Sequence, residues 1–419
     1  MTGEVLLLGF LDHRDQWDRL CADPTLLEPL QQHPDFSPEI RIIPLTQEYL
    51  HWRDTGPAAA TPAIQSQDPA WILFTSGSTG RPKGAVLTHR SFMAGLDSAA
   101  LGRPVAPSDK YYYPFPLFHV AAHNVLLQHR HGAAVVLARS FDAADTIRAC
   151  RELQVTTLSL APTMIAMLLE HPEFSPADLS SVRTIGYGAS AMPQTLLQRL
   201  LTETQVGLCQ SYGMTELSGS VAFLTVQDHQ QAARDQPGLL QSVGRPLSTA
   251  KIKLLDNNGN DCDEGQAGEI LVKASQCMHG YWQDKEANAK ALVDGWLHTG
   301  DVGRFDAQGY LYIVDRKKDM IISGGENIAS REVEEALRQH RAVRDCAVIA
   351  LPDPRWGESA CAVVQLSEEV DNRELEAHCR KLLAAYKTPR QWFRSDHLPL
   401  NAAGKIDKPL LRKRYTRRN

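Results

Sequence analysis

Thr75-Ser76-Gly77-Ser78-Thr79-Gly80-Arg81-Pro82-Lys83-Gly84 is the stretch on which the fold of this chain turns. Its glycines let the backbone approach an anion, because no Cβ intervenes. Four hydroxyl side chains, on Thr75, Ser76, Ser78 and Thr79, offer donors whose hydrogens rotate freely. Lys83 adds a point charge. The preceding Ala70-Trp71-Ile72-Leu73-Phe74 reads as a buried strand, and Arg90-Ser91-Phe92-Met93 begins a helical pattern. A glycine-rich turn leaving a strand is where α/β folds hold phosphate. The stretch therefore predicts an α/β protein with a triphosphate loop. It is not a Walker A loop, which ends Gly-Lys-Ser/Thr; Lys83 here stands between Pro82 and Gly84. A polar surface loop is the competing reading of any Gly/Ser/Thr run, so the rest of the chain must decide.

From Trp71 to about Thr225, strand and helix patterns alternate. Ala133–Leu137, Thr157–Leu160, Thr184–Gly186 and Val206–Gln210 read as strands; Ala161–Glu170 and Pro193–Thr202 read as helices. Such alternation predicts a largely parallel sheet wrapped by helices. Near Gly238 the texture changes to short strands, Lys251–Leu255, Gly268–Lys273 and Tyr310–Val314, separated by Asn/Asp/Gly turns. After Asp315-Arg316-Lys317-Lys318-Asp319 the pattern resets, with helices over Ser330–Gln339 and Glu374–Ala385 and strands over Ala347–Leu351 and Ala362–Leu366. The expected fold is a large N-terminal domain, 1–315, of wrapped, mostly parallel sheets with a β-rich subdomain at about 238–315. A small α+β domain, 316–419, follows. Before the loop, Val5–Leu11 and Ile40–Pro44 read as strands and Arg14–Leu20 as a helix.

The 419 residues suffice for two or three domains. A hydrophobic share of 43%, a charged share of 22% and a net charge of −5 suit a soluble protein and give no reason to expect nucleic acid. No apolar run is long enough to span a bilayer, and the N-terminus lacks a basic leader and cleavage site. Eight scattered cysteines without a CxxC pair point to reduced thiols and a cytoplasmic setting. His123, His129 and His131 cluster loosely and read as a helix and its end rather than a metal site.

Four further strings carry chemistry. Gln210-Ser211-Tyr212-Gly213-Met214-Thr215-Glu216 ends a strand, where open α/β sheets bind ligands. Tyr212 offers a face to a purine and Thr215 a hydroxyl to a phosphate. Glu216 is a hard oxygen ligand suited to Mg²⁺. In Gly295-Trp296-Leu297-His298-Thr299-Gly300-Asp301, an Asp after a tight Thr-Gly turn can accept both ribose hydroxyls. Gly309–Glu332 combines Arg316, Lys318 and a Gly324-Gly325 loop. Leu398-Pro399-Leu400-Asn401-Ala402-Ala403-Gly404-Lys405-Ile406-Asp407-Lys408 puts Lys405 on a short loop able to deliver and withdraw an ammonium. Taken singly, each has a plain alternative: a strand-to-helix turn, a β-turn Asp, a charged hairpin, a solvated terminal lysine.

Together, in this order and spacing, the strings resemble the adenylate-forming superfamily of acyl-CoA synthetases, aryl-CoA ligases, luciferases and peptide-synthetase adenylation domains. The resemblance runs from about residue 70 to the end, and the Gly309–Glu332 string looks most like acyl- and aryl-CoA ligases. Tyr113-Pro114-Phe115-Pro116-Leu117-Phe118-His119 matches the family's carboxylate-pocket segment, with His119 as its gate. The resemblance implies ATP, Mg²⁺ and coenzyme A, or a carrier protein's phosphopantetheine, as co-substrates and cofactor. It implies two half-reactions: carboxylate plus ATP to acyl adenylate and pyrophosphate, then transfer to a thiol with release of AMP. By the same resemblance Thr75, Ser76, Gly77, Ser78, Thr79, Gly80 and Lys83 hold phosphates and Glu216 holds Mg²⁺. Tyr212 and Gly213, with Gly188, Ala189 and Ser190, frame adenine. Asp301 and Arg316 hold ribose, Lys405 bridges carboxylate and α-phosphate, Lys318 is the hinge of a mobile C-terminal domain, and Gly324-Gly325 meets pantetheine.

Family members usually carry well over a hundred residues before the phosphate loop, against 74 here. A shortened first subdomain is expected to leave apolar surface for a homodimer or partner subunit. The tail holds Lys405, Lys408, Arg412, Lys413, Arg414, Arg417 and Arg418 against Asp407. It reads as a solvated end, or as a contact for the 3′-phosphate of CoA or an acidic carrier protein. His119 and the small residues Gly186–Ser190 permit an aryl or medium acyl acid.

Overall fold

The computed structural model describes residues 8–12, 16–22, 41–44, 63–75, 82–188, 192–400 and 406–416. Ser76–Arg81, Ala189, Ser190 and Lys405 lie outside the described residues. The chain divides into compact units at 1–65 and 66–419. In the first, β1 (Leu8–Asp12) pairs antiparallel with β2 (Gln16–Ala22), which pairs parallel with β3 (Arg41–Pro44). The helix expected over Arg14–Leu20 is thus strand β2. Seven residues are too short for periodicity to separate the two states, and ladder bonds on both sides decide for the strand.

In the second unit, β4 (Pro69–Thr75) and β5 (Lys83–Thr88) pair antiparallel, with Thr75 opposite Lys83. The phosphate stretch therefore joins two strands of a hairpin, and the helix announced by the pattern from Arg90 follows the second strand. Gly84–Leu87 is a buried strand paired on both edges, to β4 and to Gly280–Tyr281. The helix, α1 (His89–Gly102), starts after it. Thr88 and Ser91 form a reciprocal cap there, Ser91 N–H to Thr88 Oγ1 at 3.1 Å and Thr88 N–H to Ser91 Oγ at 2.9 Å.

The central sheet holds β6 (Lys110–Tyr113), β7 (Ala134–Leu137), β8 (Thr157–Ser159), β9 (Thr184–Gly188), β10 (Gly207–Met214), β11 (Gly219–Leu224) and β12 (Arg245–Pro246). Its order is β12-β11-β10-β9-β8-β6-β7, parallel from β10 through β7 and antiparallel at β11. Parallel neighbours need crossovers, supplied by α2 (His123–Arg130), α3 (Ala143–Leu153), α4 (Pro162–Leu169) and α5 (Gln194–Glu203). Helix α6 (Val226–Arg234) follows β11.

The β-rich part has β13 (Ala250–Leu255), β14 (Gly268–Ala274), β15 (Gly280–Tyr281), β16 (Leu292–Val293), β17 (Trp296–Phe305) and β18 (Leu311–Arg316), with α7 (Lys285–Ala291) between β15 and β16. Leu73, Leu87, Tyr212, Leu217, Ile270, Leu297 and Leu311 share one core. That core fixes the phosphate hairpin, the Tyr212 strand and the β-rich sheet against each other, each buried Leu or Ile contributing about 1.5–3 kcal/mol.

The small domain has β19 (Ile321–Ser323), β20 (Glu326–Ile328), β21 (Val343–Asp353), β22 (Gly357–Leu366) and β23 (Gln391–Arg394), with α8 (Ser330–Arg338), α9 (Asn372–Leu382) and α10 (Lys408–Thr416). Strand alternation splits its core. Cys346 and Val348 pack with Val333 and Leu375, while Ala347, Ile349 and Leu351 pack with Leu411 and Tyr415 of α10. The part of the tail read as a solvated end is therefore, over 408–416, a packed helix. The fold is α/β with mixed sheets, a large N-terminal domain and a small C-terminal one. No described helix is long and apolar enough to cross a membrane.

Candidate active site

Strand β10 carries Tyr212 and Gly213 into a single turn of 3₁₀ helix, Thr215–Leu217, and β11 returns antiparallel. Gly213 is needed at that crossing: a Cβ there would lie 2.0 Å from the Gly219 carbonyl oxygen. Glu216 on the turn is buried. Its Oε1 accepts from the Tyr281 hydroxyl at 2.9 Å and from Thr75 Oγ1 at 3.4 Å, a longer and weaker contact. Its Oε2 has no hydrogen-bond partner among the described residues. Lys83 Nζ stands 5.1 Å from the Tyr281 ring centre. Burial, with the Glu216 carboxylate beside it, pushes the Tyr281 hydroxyl well above the usual tyrosine range, so it donates. Both ends of the phosphate hairpin thus meet one buried carboxylate and its tyrosine.

A second cluster surrounds Asp301. The sequence suggested an Asp just past a turn, but the residue lies inside β17, on a bulge. Glu269 faces Val302 and Leu271 faces His298, so Thr299-Gly300-Asp301 oppose Ile270 alone. Gly300 supplies the φ of +71°. Thr299 Oγ1 donates to the Ile270 carbonyl at 2.8 Å and accepts the Asp301 N–H at 3.1 Å. Asp301, buried, takes the Tyr212 hydroxyl on Oδ2 at 2.9 Å and Arg316 Nε on Oδ1 at 3.0 Å. Burial and the Asp301 charge hold the Tyr212 phenol far above its ordinary value. An ionised carboxylate has about four lone-pair sites, so two remain for hydroxyls of a bound sugar.

Lys318 is central in the turn that follows β18, closed by Asp319 N–H to the Arg316 carbonyl at 2.8 Å. Asp315 before it bonds to Ser330 beyond it, and Lys408 and Arg412 of α10 bond to residues after it. Asp315 Oδ2 accepts from Ser330 N–H at 2.5 Å and Ser330 Oγ at 2.7 Å. Lys408 Nζ reaches Ser330 Oγ and Glu334 Oε1, both at 2.7 Å. Arg412 pairs with Asp319 at 2.7 Å. Two basic groups assigned to a free tail are therefore engaged internally.

Gly324-Gly325 turns the β19–β20 hairpin with φ of +62° and +89°. Gly324 N–H donates to the Trp356 carbonyl at 2.8 Å, and a Gly324 Cβ would strike the indole at 2.6 Å. The Trp356 ring carries two guanidinium groups, Arg355 at 4.8 Å and Arg390 at 4.6 Å, both exposed and neither ion-paired among the described residues. His119 precedes the short turn Val120–Ala122 and packs on Phe118 with ring centres 4.6 Å apart. Gly188 ends β9 beside Ser211 of β10. The sequence reading missed Tyr281, Asp315, Ser330 and Trp356. The only local mark of Tyr281 is the Gly280 before it, since its partner Glu216 is 65 residues away.

Among the described residues no group of three or more His, Cys, Asp or Glu could hold a metal ion. A lone buried carboxylate with one uncommitted oxygen nevertheless fits Mg²⁺, which keeps waters and takes phosphate oxygens beside one or two carboxylates.

An α/β fold with these two buried carboxylate clusters and a small C-terminal domain points to a nucleotide-activating ligase class. The chain belongs to the AMP-binding enzyme family, whose main domain matches residues 15–282 and whose C-terminal domain matches residues 332–405. It is 39% identical over 355 residues to a feruloyl-CoA synthase of an Amycolatopsis species, covering 83% of this chain and 70% of that protein. It is similar to O-succinylbenzoate coenzyme A synthetase of Bacillus subtilis in complex with ATP and magnesium ion, with a TM-score of 0.83 and 31% identity over 94% of this chain and 78% of that one. An amide bond synthetase of Marinactinospora thermotolerans gives 0.83 and 30%, covering 96% and 80%.

Proposed function

We propose that this chain is an AMP-forming aryl- or acyl-CoA ligase. A carboxylate oxygen attacks the α-phosphorus of ATP, the bond to the β-phosphate oxygen breaks, and pyrophosphate leaves with the electron pair. The thiol sulfur of coenzyme A then attacks the acyl carbon, AMP leaves, and the thiol proton passes to solvent. The observation that carries the reading is the buried Glu216, joined to Thr75 and, through Tyr281, to Lys83 at the two ends of the phosphate hairpin. Bound Mg²⁺ would neutralise phosphate charge, and Glu216 would hold it. Displacement at phosphorus needs alignment and charge neutralisation more than covalent help. Thr75 and Lys83 anchor the loop, Tyr212 orients Asp301 toward ribose with Arg316, and Lys405 bridges carboxylate and α-phosphate.

The domain boundary at 315/316 and the hinge at Lys318 belong to the same proposal. Rotation there would exchange Lys405 for the Gly324-Gly325 loop. For the acceptor, Arg355 and Arg390 on Trp356 favour free coenzyme A, whose purine and phosphates suit an aromatic face bearing two cations with no ion pair among the described residues. For the acid, the feruloyl and succinylbenzoyl relatives favour an aryl group.

A second reading keeps adenylation and changes the acceptor to a carrier protein or an amine. The likeness to an amide bond synthetase favours the amine. The test is pyrophosphate release from Mg·ATP across a panel of aryl acids, with and without coenzyme A. Acid-dependent release with AMP and an acyl-CoA product is expected. Release without an acyl-CoA would move the search to other acceptors, and no release with any acid would refute adenylation of this class.

A further inference from the structure

We propose that Tyr281 is a positioning residue for Glu216: it holds the carboxylate through Oε1 and leaves Oε2 for the divalent cation of a bound nucleotide. The inference rests on the reading of Glu216 as the metal ligand. It starts from an asymmetry, since Oε1 has two donors and Oε2 none among the described residues. The donor at 2.9 Å is the phenol, and a phenol aimed at a buried carboxylate fixes both its rotamer and the oxygen left over.

The segment carrying Tyr281 is built around the Glu216 turn. Met278 N–H donates to the Glu216 carbonyl at 2.8 Å, so backbone and side chain of Glu216 are gripped by one four-residue stretch. Gln276 Nε2, buried, donates to the Leu217 carbonyl at 2.7 Å and the Ser220 carbonyl at 3.0 Å. Tyr281 is itself fixed against the phosphate hairpin. It pairs with Ala85 of β5, flanked by Trp282 N–H to the Gly84 carbonyl at 2.7 Å and His279 N–H to the Val86 carbonyl at 2.9 Å. From α7, Asn288 clasps its backbone, Oδ1 accepting the Tyr281 N–H at 2.5 Å and Nδ2 donating to the Tyr281 carbonyl at 3.0 Å. Gly280 makes room for that clasp: with φ of +155°, a Cβ there would lie 2.9 Å from Asn288 Oδ1. Packing alone would need the ring and not the hydroxyl.

The test is equilibrium binding of ATP to the purified full chain, with Mg²⁺ and with EDTA. Tyr281→Phe keeps the ring and removes the hydroxyl. It is expected to weaken the Mg²⁺-dependent part of binding by about 10–100-fold, the usual cost of losing a group that orients a metal ligand. Binding in EDTA should stay unchanged. In a Glu216→Gln background the same change should add nothing, because the two act as a unit. Wild-type Mg·ATP binding by Tyr281→Phe, or an equal loss with and without metal, would overturn the inference and leave the function standing. Wild-type protein whose ATP binding ignores Mg²⁺ would overturn both. If Tyr281→Phe does not fold, Asn288→Ala decides: a smaller loss confined to the Mg²⁺-dependent part supports the inference, and no such loss refutes it.

Discussion

Replacing Asp315 with alanine is expected to open the first turn of α8 to solvent while the large domain stays protected. The N-cap residue of α8 is Ala329, which has no side-chain oxygen to meet the first amides. Asp315, near the end of β18 and before the turn at Lys317–Asp319, supplies that oxygen. Its Oδ2 takes Ser330 N–H at 2.5 Å and Ser330 Oγ at 2.7 Å, with Arg331 N–H at 3.4 Å. Asp315 is 5% exposed and Ser330 0%, so water cannot replace the carboxylate without local opening. Losing a helix cap costs about 1 kcal/mol. Leaving a buried N–H unpaired costs about 1–3 kcal/mol. The hydroxyl keeps Lys408 as a partner, which limits the loss.

These two figures bracket the loss of the same bond at about 1–3 kcal/mol, or about 5–150-fold in the local opening equilibrium. Hydrogen–deuterium exchange read by mass spectrometry on a peptide covering 328–338, against a control covering 268–274, measures this directly. Unchanged exchange in the first peptide would show that Asp315 caps nothing that matters. Equal acceleration in both would show general destabilisation rather than a tie across the hinge.

Arg390→Ala should raise the KM for coenzyme A about two- to fivefold, since an exposed cation on an aromatic face is worth about 0.5–1 kcal/mol, and leave acid-dependent pyrophosphate release unchanged. Lys405→Ala should abolish adenylation but spare thioester formation from a supplied acyl adenylate, and Lys318→Pro should do the reverse; equal loss of both half-reactions in both variants would end the domain-alternation proposal. Acid should destabilise the large domain through two histidines. Burial, the leading cause, pulls His123 and His229 down to about 4. The unfolded chain protonates each near pH ~6.5, so it binds more protons between about pH 6.5 and 4, and stability falls as pH drops through that window. Each group accounts for about 2 kcal/mol by pH 5. His123→Gln should remove its share of the slope in urea midpoints between pH 7 and 5; a slope identical to wild type would refute the assignment.

The parallel sheet was legible because its strands are short and apolar, and its inner strands are largely buried. Ala134–Leu137, Thr157–Ser159 and Thr184–Gly188 all fall within a residue or two of the runs that announced them. The motifs of the two clusters were legible because glycine fixes their backbones. What stayed hidden depends on distant pairing. Residues 83–88 look like the tail of a polar loop until β4 and β15 flank them. Gln16–Ala22 looks helical until strands lie on both sides of it. Thr299-Gly300-Asp301 has the local chemistry of a turn. Antiparallel partners before and after it, His298 with Leu271 and Val302 with Glu269, carry the strand through and turn the turn into a bulge.

That last case shows where this fold keeps its chemistry. Thr75 ends β4, Glu216 sits between β10 and β11, Asp301 rides a bulge in β17, and Gly324 turns the hairpin of the small domain. Each is a break in a ladder, where a side chain can leave the pleat and backbone groups lose their regular partners. Those groups must be satisfied from elsewhere. Gln276 and Met278 serve the carbonyls around Glu216, Thr299 the Ile270 carbonyl and the Asp301 amide, and the Trp356 backbone the amide of Gly324. The residues that act can be read locally, because the break itself constrains the sequence. The residues that hold them need only the right donor at the right distance, from anywhere in the chain. If Glu216 and Asp301 hold nucleotide as proposed, substitutions at Gln276 or Thr299 should weaken Mg·ATP binding almost as much as substitutions at those carboxylates, read as the Kd; wild-type Kd values at both would refute the argument.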